Sequence, residues 1–275
     1  MLKIAITGAT GLIGTRLVEL LSNQFEFIPL LQEEIDITQR EVLWQALKNI
    51  NFDFFLHLAA YTDVDGAEKH KELAEQVNVS GTKNVFEINR RLRKKFIYVS
   101  TGFVFNGKKE QAPFTESSLP DPISFYGLTK YEGEKIVKNQ AMIIRLDYPY
   151  GKSAAQKKDF VHNIIVAFKE GKTLKMVENS TITPTPIDDF VAGLQYLINN
   201  YSPEIFHLVG QDSWSPYAIG QMIARNFRFS PDLIEPIAYN SYFKNRAKRP
   251  QFSTIKSIKN DFILMKSFAD GLKLL

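Results

Sequence analysis

The hydrophobic pattern of this chain switches repeatedly between two periods. Residues 2–6 form an apolar run interrupted only by Lys3, which reads as a buried strand. Over 14–22 the apolar positions Leu17, Val18, Leu20 and Leu21 take up helical spacing. Residues 25–31 read as a strand again, and Asp36-Ile37-Thr38 opens a helix with Thr38 as N-cap and Glu41 at the capping-box position. Strands are predicted over 52–58, 96–100 and 141–146, and helices over 68–91, in two pieces, and 126–138. A Pro- and Ser-rich loop covers 112–122. Strands that alternate with helices predict an α/β fold with a Rossmann-type, doubly wound parallel sheet.

Beyond Tyr150-Gly151 the pattern is less regular. Helices are predicted over 160–169, 188–199 and 217–225, strands over 175–177 and 205–209, and a turn at Thr183-Pro184-Thr185-Pro186. The tail is basic and aromatic. Residues 1–150 therefore read as a dinucleotide-binding domain. Residues 151–275 read mainly as a small, partly interleaved C-terminal substrate lobe, with some segments returning to the Rossmann core. No internal repeat stands out.

Three glycines, Gly8, Gly11 and Gly14, separate the first strand from the first helix. Gly8 permits a sharp turn, Gly11 lets the backbone approach a pyrophosphate, and Gly14 lets helix and strand lie close. The phosphates would meet the unpaired N–H groups at the positive end of the helix. The spacing is G-x-x-G-x-x-G, so the assignment rests on its place between strand and helix.

Composition narrows the chemistry. The 275 residues suit one domain with an appendage, and 44% hydrophobic content is that of a globular protein. The absence of cysteine excludes disulfides and thiolate catalysis. Four scattered histidines argue against a metal site. No apolar run approaches the ~20 residues that span a bilayer, and no signal peptide is visible, so a cytoplasmic location is expected. Net charge is +4. The run Arg90, Arg91, Arg93, Lys94, Lys95 reads as a solvated helix C-terminus. Lys244, Arg246, Lys248, Arg249, Lys256 and Lys259 read as a clamp for an anionic, phosphate-bearing small substrate rather than for nucleic acid.

Ligands of open parallel sheets bind beyond the carboxyl ends of the strands. Those ends offer the glycine turn, Leu31 with Glu33 and Glu34 nearby, Ala59-Ala60-Tyr61-Thr62, Ser100-Thr101-Gly102 and Asp147-Tyr148. Tyr126 and Lys130 share a helix face at i, i+4. An ammonium beside a phenol lowers the phenol's pKa and fits it for acid–base work. Tyr131/Lys135 and Tyr148/Lys152 have the same spacing. Tyr131 points about 140° further round the helix, and Tyr148 lies at a strand end before Pro149. Only Tyr126 opens a helix after the loop that leaves Ser100-Thr101.

The order of these segments resembles the extended short-chain dehydrogenase/reductases, and within them the RmlD-like group of sugar-nucleotide reductases. The resemblance runs nearly end to end. It is carried by T-G-A-T-G-L-I-G at 7–14, Asp36-Ile37-Thr38, H-L-A-A-Y-T-D-V-D-G-A-E at 57–68, V-N-V-S-G-T at 77–82 and Y-V-S-T-G-F-V-F-N-G at 98–107. Residues 113–135, R-L-D-Y-P-Y-G at 145–151 and Arg249-Pro250 complete it. It implies reduction of the C4 keto group of a nucleotide-linked sugar. Thr101, Tyr126 and Lys130 would be the catalytic set. Gly8, Thr10, Gly11, Leu12, Ile13, Gly14, Asp36, Ile37, Ala59, Ala60, Tyr61, Asn78 and Ser100, with Tyr126 and Lys130, would bind the cofactor. Thr62, Val64, Thr101, Tyr148 and Arg249 would face the substrate.

Two departures stand out. Gly102-Phe103 replace the group's Asp-Tyr, and Leu146-Asp147-Tyr148 replace its Thr-Ser-Trp, which points to a different sugar nucleotide or another keto substrate. Leu31 stands where NAD sites place an acid, and Arg16 is a candidate partner for a 2′-phosphate, so NADP(H) is expected before NAD(H). A monomer or homodimer is expected, with no nucleic-acid or membrane partner and no metal. The alternatives are an epimerase, dehydratase or non-sugar reductase on the same scaffold, or a cofactor-binding regulatory subunit.

Overall fold

In the computed structural model, which describes residues 1–275, the first half is a run of β-strands each followed by a helical segment. β1 (Leu2–Thr7), α1 (Leu12–Leu21), β2 (Phe25–Leu30), α2 (Arg40–Leu47) and β3 (Phe54–His57) come first. After β3 the chain forms α3 (Val64–Lys69), α4 (Lys71–Glu75), a π-helical turn (Gln76–Gly81) and α5 (Thr82–Arg91). Then follow β4 (Lys95–Thr101), α6 (Phe125–Val137), β5 (Met142–Leu146) and a two-residue β6 (Pro149–Tyr150). The second half holds α7 (Phe160–Lys169), β7 (Leu174–Val177), β8 (Thr185–Pro186), α8 (Ile187–Asn199), β9 (Ile205–His207), α9 (Pro216–Phe227), β10 (Ile234–Ile237), α10 (Tyr239–Tyr242) and α11 (Phe268–Leu272).

The main sheet has the order β2-β1-β3-β4-β5-β9, and every pairing is parallel. Its strands read as continuous apolar runs because both faces are covered. Ile4, Ile6, Phe54, Leu56, Ile97, Val99, Met142 and Ile144 face one way, against Leu17 and Leu21 of α1 and Phe190, Leu194 and Leu197 of α8. The alternate positions Ala5, Phe55, Phe96, Tyr98 and Ile143 face α2, α5 and α6. Both β9 and α8 come from the second half of the chain. The rest of that half packs its own small core, with Ile164 and Phe168 of α7 against Ile219 and Ile223 of α9 and Met176 and Ile234 of the β7–β10 pair. No helix is long and apolar enough to cross a membrane.

Several local expectations are corrected. Thr38 caps nothing: the Asp36 carboxylate accepts the Thr38 N–H at 2.8 Å, and this turn delays α2 until Arg40. Glu41 accepts from Gln45 instead. The stretch 68–91 is broken by the π turn as well as by the α3–α4 junction. Thr185-Pro186 form a strand beside Pro149-Tyr150 rather than a simple turn. Strand β10 was not legible, because Pro236 interrupts its short apolar run.

Behind the sheet's carboxyl edge lies a buried polar chain. Arg145 on β5, 1% exposed, donates two hydrogen bonds to Glu134 on α6, at 2.8 and 2.6 Å. Its other amino group meets His207 Nε2 at 3.4 Å, and His207 Nδ1 lies 2.8 Å from the Lys256 carbonyl. Burial pushes His207 down to about 4, so near neutrality the ring is uncharged. Nδ1–H then donates to Lys256, which leaves Nε2 to accept from Arg145. Removing one partner of such a pair strands the other charge. Glu134→Ala should cost about 3–5 kcal/mol in urea unfolding, and replacing Glu134 and Arg145 together with apolar residues should cost less than that single change.

Candidate active site

A cleft of ≈ 890 Å³ opens at the carboxyl ends of β1, β3, β4 and β5, between the sheet and the C-terminal lobe. Its walls suit a dinucleotide at one end. Gly8 sits at φ +72°, and a Cβ on Gly14 would stand 2.2 Å from the Gly8 carbonyl oxygen, so turn and helix close without side chains. No side chain caps α1, whose first N–H groups therefore remain available to an anion. Thr10, Gly11, Leu12 and Ile13 line this end, and Asp36 and Ile37 border it beyond β2. Ala59 and Ala60 keep the floor low.

The other end holds the acid–base groups. Ser124 caps α6 by accepting the Gly127 N–H at 3.1 Å, which fixes the helix start one turn before Lys130. Tyr126 and Lys130 both line the cleft, next to Ser100 and Thr101 from the end of β4. Burial pushes the Tyr126 phenol up to about 12; the nearby Thr101 hydroxyl pulls it down and the Asp147 carboxyl pushes it further up. Tyr126 is therefore held as the protonated acid. This corrects the expectation that Lys130 brings the phenol toward neutrality. The Lys130 ammonium instead donates to the Val99 carbonyl at 2.9 Å and lies 4.2 Å from the Tyr98 ring centre. Burial lowers its own pKa to about 7, against the opposing pull of Glu134 one turn along α6.

Of the residues singled out from sequence, Asn78 and Arg249 do not line the cleft. Asn78, in the π turn, accepts the Tyr61 N–H at 2.8 Å and donates to the Tyr61 carbonyl and to Thr129. Thr129 in turn donates to the Tyr126 carbonyl. Asn78 thus ties the floor of the cleft to the helix that carries Tyr126 and Lys130. Arg249 is bound at the surface to both carboxylate oxygens of Asp65, at 3.3 and 2.9 Å. No other member of the basic run 244–259 lines the cleft either; Lys259 pairs with Glu204 and Arg246 lies over Tyr242. The expected anion clamp is not there: none of these cations lines the cleft, and the carboxylates of Asp65 and Glu204, distant in sequence, hold Arg249 and Lys259. Arg16 is likewise held by Asp188 and Glu19.

Thr62, Val64 and Tyr148 also line the cleft. The rings of Phe103, Tyr148 and Phe160 form a connected aromatic wall beside Tyr126, with centroid separations of 5.5 to 5.9 Å. Phe160, Lys157, Lys158 and Asn163 were missed from sequence. They reach the cleft because the 151–159 loop crosses its mouth, with Ser153 donating to the Leu12 carbonyl and Lys157 to Thr62. Only the Lys-Lys pair offered a signal, and its spacing implies no such crossing.

The family model described as RmlD substrate binding domain matches residues 2–273. A curated dTDP-4-dehydrorhamnose reductase from Aggregatibacter actinomycetemcomitans is 27% identical over 94% of this chain and 92% of its own length. A dTDP-4-keto-6-deoxy-D-glucose reductase from Streptomyces niveus is 26% identical over 84% of this chain and 81% of its own. Among solved structures, the dTDP-4-dehydrorhamnose reductase of Bacillus anthracis in complex with NADP superposes with a TM-score of 0.91 and 29% identity, covering 99% of this chain and 98% of that one.

The buried lysine gives a test of the cleft. An anionic cofactor favours the charged ammonium, whereas the protein alone favours the neutral amine above about pH 7. Affinity for a nicotinamide dinucleotide should fall as pH rises through that value, and binding near pH 8 should take up protons. Titration calorimetry in two buffers of different ionisation enthalpy checks both outcomes.

Proposed function

This chain belongs to the RmlD substrate binding domain family, and from that premise and the cleft we propose that it uses NAD(P)H to reduce the C4 carbonyl of a nucleotide-linked sugar. One observation carries the reading. A single cleft joins the uncapped glycine turn of α1 to the grouped side chains of Thr101, Tyr126 and Lys130.

When bound, the nicotinamide cofactor supplies the hydride. The glycine turn and the start of α1 would hold its pyrophosphate, with Ala59 and Ala60 beneath it. Thr101 would donate a hydrogen bond to the sugar's C4 oxygen and polarise the carbonyl. Tyr126, protonated at neutral pH, would give its phenolic proton to that oxygen as the alcohol forms. Lys130 would hold the cofactor ribose and offset the phenolate left on Tyr126. The relatives' names point to dTDP-linked 4-keto-6-deoxy sugars as the first substrates to offer. In the aromatic wall beside Tyr126, Phe103 and Phe160 offer a methyl group apolar contact, and Tyr148 alone carries a hydroxyl that could hydrogen-bond the sugar.

NADPH is the proposed cofactor. The end of β2 presents Leu31 and Gln32 to the cleft, while Glu33 and Glu34 lie outside its lining. Asp36, the carboxylate that borders the cleft beyond β2, accepts the Thr38 N–H, and the end of β2 itself offers no acid to favour a ribose 2′-hydroxyl over a 2′-phosphate.

Tyr126→Phe removes the proton donor and keeps the ring that packs on Phe103. Turnover of NADPH with a dTDP-linked 4-keto sugar should fall ~10²–10⁴-fold, with NADPH affinity little changed. Undiminished turnover in this variant would overturn the assignment.

A further inference from the structure

Asp147 is a buried acid that the mechanism above does not use. It follows directly on β5 and is 1% exposed. One carboxyl oxygen, Oδ2, accepts the Thr183 N–H at 3.2 Å and the Ser253 hydroxyl at 3.1 Å. The other, Oδ1, has no hydrogen-bond partner. No lysine, arginine or histidine is paired with it.

Its position matters more than its isolation. A Cβ added to Gly102 would stand 2.9 Å from Asp147 Oδ1 and 2.1 Å from Ile255 Cδ1. The unpaired oxygen thus lies against the bare backbone immediately after Thr101, in space that a side chain at 102 would claim. Its charge also reaches the phenols of Tyr126 and Tyr148, which it pushes up. Those are the titratable groups that face it, from α6 and from its own strand end. The 183–185 segment presents an amide and hydroxyls, and the C-terminal segment presents Ser253 and Ile255. The nearest candidate cations are engaged elsewhere, Lys130 on the Val99 carbonyl and Arg249 on Asp65.

An unpaired carboxylate in such a place is strongly disfavoured, and the group holds its proton instead. Burial pushes Asp147 up to about 8. Since Oδ2 already accepts two hydrogen bonds, the proton belongs on Oδ1, the oxygen nearest Gly102.

We propose that Asp147 is a positioning residue for the reduction, a carboxylic acid kept neutral behind Thr101 and Tyr126 so that negative charge can develop there. The inference rests on the proposed function. As Tyr126 gives its proton to the C4 oxygen, a phenolate forms within reach of Asp147. A neutral acid does not oppose that charge. An ionised one does, so loss of the Asp147 proton to solvent slows the step without removing any catalytic group. Tyr126 does not itself account for such a loss, since it is held protonated up to about 12.

Two measurements test this. Asp147→Asn keeps the shape: its carbonyl oxygen can accept from Thr183 and Ser253, and its NH₂ stands where the protonated Oδ1 stood. With cofactor saturating, wild-type kcat should fall ~10-fold or more between pH 7 and pH 9.5, as expected for a required proton lost near the middle of that range. Asp147→Asn should keep its neutral-pH kcat and lose that fall, while any contribution of Lys130 persists in both proteins. A merely structural role would instead lower kcat at every pH and leave the profile's shape intact, which overturns the proposal. The second measurement needs neither a variant nor turnover. In wild-type protein labelled with ¹³C at its aspartate carboxyls, one resonance should titrate in the alkaline range. If every aspartate titrates below pH 6, Asp147 is not a neutral acid and the proposal fails. Should no sugar be reduced at all, the carboxyl titration still stands, so failure of the proposed function and failure of this inference are distinguishable.

Discussion

The site depends on a cation that the fold has buried without a carboxylate of its own. Lys130 is 3% exposed, and its ammonium rests on one backbone carbonyl and the face of Tyr98. The adjacent acid, Glu134, is already claimed by both nitrogens of the Arg145 fork. Burial lowers the lysine's pKa to about 7, and an anionic dinucleotide in the cleft would favour the charged form. The requirement reaches back through the fold. Helix α6 must present Lys130 toward β4 and Glu134 toward β5 at once, which fixes its rotation and its depth. Tyr98 reinforces this by donating its hydroxyl to the Lys130 carbonyl at 3.3 Å. Asn78 and Thr129 fix the start of the same helix from the other side. Cofactor affinity and helix placement are therefore one problem, solved by one set of contacts.

Much of this was legible in the sequence because it is local. The glycine turn, the alternating strands and the i, i+4 relation of Tyr126 to Lys130 all lie within single elements. The strand ends then follow from the rule that ligands bind at the carboxyl edge of a parallel sheet. What escaped is what depends on distant partners. Arg249 looked free to bind an anion until the fold brought Asp65 to it across 184 positions. Thr38 looked like a cap until Asp36 closed a tighter turn. Asn78 was placed on the cofactor, yet its side chain spans two backbone segments. The direction of the Lys130 ammonium was not readable either, because helix spacing gives the shared face of two side chains and not the rotamer within it.

The two departures from the sugar-nucleotide reductase pattern turn out to be neighbours in space. Gly102 and Asp147 lie 45 positions apart in sequence, yet the carboxyl of one occupies the side-chain space of the other. Read singly, the change at Gly102 pointed only to a different substrate. Read together, the pair keeps a carboxyl near Thr101 but moves it to the end of β5 and buries it. Phe103 then packs on Tyr126 and Tyr148, and the wall beside the reacting centre is aromatic.

Direct transfer of hydride to a sugar carbon is the claim on which the account stands. The most direct measurement incubates the protein with NADPH carrying deuterium at the transferable C4 position and a dTDP-linked 4-keto-6-deoxy sugar, then reads the product by NMR. The account predicts deuterium on C4 of the sugar and none elsewhere on the ring. Oxidised cofactor with an unlabelled sugar, or a labelled cofactor left intact across the dTDP-, GDP- and UDP-linked 4-keto sugars, would contradict it.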